Sequence, residues 1–114
     1  MSDDKRYNGW ANYETWAVKL WMDNEESSQT YWQERTREAF EQAQEEDAFY
    51  EGETATDRAR RALAQALKDE HEEAAPDLGA TVWGDLFNAA MSEVDWYEIA
   101  AALLQDNEEE AANE

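Results

Sequence analysis

Apolar positions recur along this chain at the spacing of a helix face, and five segments carry the pattern. In the first, about residues 13–24, Tyr13, Trp16, Ala17, Leu20 and Trp21 fall at i, i+3, i+4, i+7 and i+8, which makes one apolar stripe. Asn12 is the expected N-cap. Val18 and Met22 lie off the stripe, so this helix is expected to be covered on two sides, and the pair offers a homodimer contact. The second segment, about 29–50, is expected to follow a Ser27–Ser28 cap region. Its inner face is Trp32, Thr36, Ala39, Phe40, Ala43 and Tyr50, and Gly52 suits the left-handed residue just past a helix end. The third, about 55–75, opens with a T-x-x-D capping box at Thr54 and Asp57. Its stripe of Ala59, Ala62, Leu63, Ala66 and Leu67 is small enough for a close neighbour, and Pro76 ends it. The fourth, about 79–91, sets Val82, Trp83, Leu86, Phe87, Ala90 and Met91 on one side. The fifth, about 96–106, has Asp95 to cap, Glu98 to reach back, Val94 to staple onto Ile99, and Trp96, Ile99, Ala100, Leu103 and Leu104 as its buried face.

One proline and four glycines punctuate the chain, helix formers dominate it, and no window sustains a period of two. The expected fold is therefore all-α, a compact bundle of four or five short helices. A single domain should span residues 1–105. Residues 106–114, DNEEEAANE, carry five acids and no large apolar group, so an acidic, frayed tail is expected there. No internal repeat or domain-separating linker is present.

Charge changes the picture. There are 29 Asp and Glu against nine Lys and Arg, for a net charge of −20, with a mean hydropathy of −1.00. Those values match a disordered chain. Six tryptophans set at helical spacing between caps argue instead for a small folded core under surface self-repulsion, which salt should screen. The same charge opposes direct contact with nucleic acid or an anionic membrane, since phosphate is bound by Lys and Arg. No cysteine is present, so disulfides, thiolate chemistry and cysteine zinc sites are excluded. No apolar run approaches the roughly 20 residues of a membrane span, and MSDDKRYNGW lacks a signal-peptide core. The expectation is a soluble, cytoplasmic protein, in the host cell if viral.

The stretch Asn8–Asn24, NGWANYETWAVKLWMDN, resembles a motif, NGW-x-NYETW-x-V-x-LW-x-x-N, of small and mostly uncharacterised proteins of phages, plasmids and archaeal mobile elements. SEVDWYEIA, Ser92–Ala100, resembles sequence near the end of those proteins. Together they span 26 of 114 residues, and the resemblance does not extend over 25–80. It implies a small helical accessory protein of mobile-element type and brings no activity with it.

Each candidate for chemistry has a plainer explanation. Trp10, Tyr13, Trp16 and Trp21 could stack a ligand or bases, but helical spacing assigns them to the core. Asp23, Glu25, Ser27 and Glu34 match positions 1, 3, 5 and 12 of an EF-hand loop; position 6 is Ser28 rather than Gly, so an acidic inter-helix turn is the better reading. His71 has no second histidine four residues on, and a di-iron bundle needs two Glu-x-x-His elements. It is read as an exposed histidine among acids. No phosphate loop or nucleophile–histidine pair is recognisable. The chain is expected to be a non-enzyme without metal or cofactor.

The second segment carries one further pattern. With Glu34 at 0° and about 100° per residue, Glu38 lies near 40°, Glu41 near −20° and Glu45 near 20°. The apolar Trp32, Ala39, Phe40, Ala43 and Tyr50 lie between about 140° and 240°. Four carboxylates thus line the side opposite the core over about 16 Å, with neighbours about 5–6 Å apart at Cβ. Arg35 and Arg37 flank the row. Three explanations are open: a solvated face, a surface adapted to high salt, for which six Arg against three Lys also speaks, or an imitation of a phosphate backbone. The expected function is an acidic protein-interaction module, a DNA mimic or anti-defence inhibitor with Glu34, Glu38, Glu41 and Glu45 meeting a basic partner. The alternative is a halophile-adapted accessory or virion protein. A monomer or homodimer suits either.

Overall fold

The computed structural model describes residues 7–112. Five helices follow in order: α1 (Tyr13–Asn24), α2 (Glu26–Gln44), α3 (Ala55–Ala74), α4 (Val82–Ser92) and α5 (Trp96–Ala112). The fold is all-α, as the periodicity predicts.

The core lies where α2, α3 and α5 pack on one another, with α1 against α2 and α5. From α3 come Ala59, Leu63, Ala64 and Leu67, and from α5 Ile99, Ala100, Leu103 and Leu104. Trp32, Thr36 and Ala43 enter from α2 and Met22 from α1. Small residues on α3 let its neighbours approach; Ala62 is exposed and Ala64 takes the inward place. Thr36 is buried because its hydroxyl donates to the Trp32 carbonyl, 2.6 Å away, which satisfies the group inside the helix.

Caps decide the better-predicted boundaries. Thr54 and Asp57 form the reciprocal capping box of α3. Asn12 caps α1, and the Asp95 carboxylate accepts from the Glu98 N–H at 3.1 Å at the start of α5. Val94 and Ile99 are both buried there, as a hydrophobic staple requires.

Several expectations are corrected. α2 begins at Glu26, because the chain turns at the single extended residue Glu25. Ser27 and Ser28 therefore lie in the first turn and do not cap it. The helix also stops at Gln44, so Tyr50 is not on its inner face and is 55% exposed. Gly52, at φ +90°, serves a turn in the 45–54 connection instead. α4 starts at Val82, capped by Thr81, three residues later than its apolar pattern predicts. α5 runs on to Ala112, well past 106, since Glu and Ala are helix formers and Gln105 donates to Glu109 across one turn. Residues 113–114 lie outside the described residues.

Candidate interaction surface

The α2 carboxylates stand where the helical wheel places them. Glu34, Glu38, Glu41 and Glu45 are all exposed, while Trp32 on the opposite side is buried. Glu45 is the C-cap residue rather than part of the last turn. Arg37 lies 3.7 Å from Glu34; among the described residues Glu38, Glu41 and Glu45 have no ion-pair partner.

Most of the described cations have internal partners, while Arg37 and Lys68 pair with the exposed Glu34 and Glu72. Arg35 is drawn from the row to Glu70 of α3 and also donates to the Tyr31 hydroxyl at 2.8 Å. Tyr31 in turn donates to Glu70 at 2.7 Å. These bonds, the Tyr31 hydroxyl first and then Arg35, hold the Glu70 carboxyl below its ordinary range. Arg58 donates through Nε and Nη2 to the Ala43 carbonyl at 3.1 and 2.9 Å, satisfying the end of α2 from α3. Arg61 donates to the Glu53 carboxylate at 2.5 Å, and Arg60 lies over the Tyr97 ring. Lys19 is buried in α1 with its ammonium 2.7 Å from Asp23. The surface acids are thus left largely unneutralised.

α1 overturns the assignment of its aromatics to the core. Its buried residues are Thr15, Lys19 and Met22, and the stripe faces outward: Tyr13 is 54% and Trp21 67% exposed, and Trp16 is half-buried. Polar bonds fix this setting. The Asn12 amide donates to the Glu93 carbonyl at 2.6 Å and its oxygen accepts from the Thr15 N–H and hydroxyl at 2.9 and 2.6 Å. The Thr15 oxygen accepts from the Asp95 N–H at 2.9 Å, and Glu98 accepts from the Ala11 N–H at 2.8 Å. These bonds pin α1 to the α4–α5 connection through its polar side. Asn8 and Gly9, at φ +49° and +89°, turn the chain so that Tyr7 and Trp10 exchange backbone hydrogen bonds, the geometry that positive φ at both central residues allows. Tyr7 then packs on Tyr13 and Trp16, with ring centroids 5.2 and 5.0 Å apart. Trp10 alone of the predicted box leans on the core. The same setting buries Met22 and leaves Val18 half-buried against the core, so Met22 is not on the outer surface.

α4 departs further from the pattern. Val82, Trp83 and Leu86 are exposed by 62, 67 and 58%. Gly84 is the buried position, and Phe87 and Met91 are half-buried. A groove of about 700 Å³ separates α4 from the α3 end and the α5 start, lined in part by Phe87, Met91, Val94, Trp96 and Lys68.

His71 is not an exposed histidine. It lies half-buried between Trp32 and Trp96, with centroids 5.8 and 5.2 Å away, and its Nδ1 is 2.7 Å from the Leu67 carbonyl. That contact requires the proton on Nδ1. The EF-hand spacing forms no loop, because residues 26–34 are helical and Asp23 is engaged by Lys19. Among the described residues no three His, Asp or Glu side chains gather as a metal site, and no helix is long and apolar enough to cross a membrane.

No curated protein and no solved structure matches the chain. A family model does match over residues 3–111, and the chain belongs to that family, the family of unknown function DUF7249.

Proposed function

We propose that this chain is an acidic protein-interaction module that acts by contact rather than catalysis and meets a partner with a basic surface. The observation that carries the reading is the division of charge. Glu34, Glu38, Glu41 and Glu45 are exposed on α2, while Arg35, Arg58, Arg61 and Lys19 are committed to internal acceptors. A field of one sign, left open on one helix, steers an oppositely charged partner and speeds its association. Spacing near that of a phosphate repeat favours a partner that ordinarily binds DNA, such as a host defence or regulatory protein, and the mobile-element motif gives such an inhibitor a use.

The test is capture from a host lysate on the immobilised protein, with duplex DNA as competitor. Proteins held by the wild type should be lost with the Glu38→Lys/Glu41→Lys variant and displaced by DNA. Both positions are exposed, so the fold should survive reversal. Capture that ignores both changes would remove the DNA-mimic reading. The salt-adaptation reading is favoured by a separate feature, the spread of acids over the whole chain. It makes its own prediction, which concerns the whole molecule.

A further inference from the structure

We propose that the outer face of α4, built on Val82, Trp83 and Leu86, is a docking site for a basic amphipathic helix of a partner protein. This rests on the reading that the partner is basic, and it names a second surface, distinct from the α2 row.

α4 is set the wrong way round for a helix that only supports a core. At 100° per residue, Val82, Leu86 and Ala89 follow one line and Trp83 and Ala90 lie beside it. That broad apolar arc faces water, while on the other side Gly84 is buried and Phe87 and Met91 are half-buried. An amphipathic helix free to rotate would bury the arc.

The loop before α4 is tied to the first turn of the helix. The Gly79 N–H donates to the Asp77 carboxylate at 3.0 Å, and Gly79 sits at φ +62°. The Thr81 hydroxyl donates to the Leu78 carbonyl at 2.8 Å and accepts from the Gly84 N–H at 3.0 Å. The Gly79 carbonyl then lies so close to Gly84 that a Cβ there would sit 2.4 Å from its oxygen. Only glycine admits this contact, which seats the loop against the first turn of α4 at Gly84. Gly84 is thus covered by its own loop, and Val82, Trp83 and Leu86 are left exposed.

Charge selects the occupant. From Glu72 to the end of the chain there is no Lys, Arg or His, whereas Asp85 lies on α4 and Asp77, Glu93 and Asp95 flank it in sequence, and all four are exposed. A second copy would bring two such anionic segments together at a net charge of −20 each. A helix with an apolar stripe flanked by Lys or Arg satisfies both features at once, with apolar anchors against Val82 and Leu86 and cations towards these acids. Trp83 adds a ring face for a partner cation.

The probe is a labelled Leu/Lys amphipathic helical peptide, titrated onto the full chain by fluorescence anisotropy at about 0.15 M salt, where the screening length is about 8 Å. Two control peptides carry the same number of Lys without the apolar stripe, or the same stripe with Glu in place of Lys. The Leu/Lys peptide should bind at least tenfold more tightly than either control. Leu86→Glu should weaken it at least tenfold, and Trp83→Gln, a second exposed position, should weaken it in case the first variant folds poorly. Glu38→Lys/Glu41→Lys should change it less than twofold, so failure of the α2 reading and failure of this one are told apart. Binding that is absent, matched by either control, or insensitive to Leu86→Glu and Trp83→Gln overturns the proposal. So does a wild-type dimer in sedimentation that Leu86→Glu dissociates, since a second copy would then occupy the face.

Discussion

Glu53 sits between α2 and α3 with its carboxylate fully buried, yet every contact it makes is with a donor. It accepts from the Phe49 N–H at 2.7 Å and from Arg61 at 2.5 Å, with Arg58 3.6 Å away. The Phe49 N–H contributes most, then Arg61 and Arg58, and together they overcome burial and hold the carboxyl below its ordinary range. A carboxyl depressed in the folded state stabilises it above the unfolded pKa, about 4.3 for Glu, and that contribution is lost as pH falls through the folded value. Other carboxylates complicate the absolute curve, because neutralising them relieves repulsion at the same time. The difference between wild type and Glu53→Gln isolates this one. Their midpoints should differ most at pH 7 and converge between about pH 5 and 3; a gap that stays constant with pH would show that the charge of Glu53 is not what holds the connection. Nothing in the sequence marks Glu53 out from 28 other acids, since its role depends on Arg61, eight residues later, and on a backbone turn that brings Phe49 back to it.

At the scale of the element, periodicity locates helices and does not say which side of each will find cover. α3 was legible because cap, stripe and stop agree, Thr54 and Asp57, then Leu63 and Leu67, with Pro76 after; α5 was legible at its start and face, Asp95, then Ile99 and Leu103, but not at its end. The α2 glutamates were legible for the same reason, as the side opposite a buried Trp32. α1 and α4 were not. Three helices already fill the core with Leu63, Leu67, Ile99 and Trp32, and a 114-residue chain has limited interior to offer two more apolar faces. The rotation of α1 is then decided by polar details that a hydrophobic pattern ignores, Asn12 and Thr15, and the first turn of α4 is shaped by a steric one, the loop carbonyl against Gly84. For Gly84 this has a measurable consequence. In a helix Ala is favoured over Gly by about 1 kcal/mol, but here the added Cβ meets a backbone carbonyl, and such overpacking costs about 1–3 kcal/mol. Gly84→Ala should therefore reduce amide-exchange protection across Val82–Ser92 and leave that of Leu63 and Ile99 unchanged. Increased protection of α4 would mean that the loop yields easily to the added Cβ.

For the whole molecule, the governing quantity is a charge of −20 on a body of 45 × 36 × 32 Å. At about 0.01 M salt the screening length is about 30 Å, comparable with the molecule, so nearly every carboxylate repels every other. At 1 M it is about 3 Å and the repulsion is gone. Attractive pairs respond unequally. The exposed Glu34–Arg37 pair weakens with salt and contributes little in any case, whereas Arg58–Glu53, with side chains 10% and 0% exposed, is shielded from the ions. Salt therefore removes more repulsion than attraction, and the thermal midpoint should climb as salt is added. The shape of the climb separates two causes. Screening is nearly complete by about 0.3 M, where the screening length has fallen below 6 Å or so, so a midpoint that levels off there reports repulsion alone and leaves the acidic surface to be explained by a partner. A midpoint that keeps climbing to molar salt reports stabilisation beyond screening and supports adaptation to a saline cell. A midpoint indifferent to salt from the start would count against both, because it would mean that the carboxylates do not interact across the surface at all, and a field too weak to strain the fold is too weak to steer a partner.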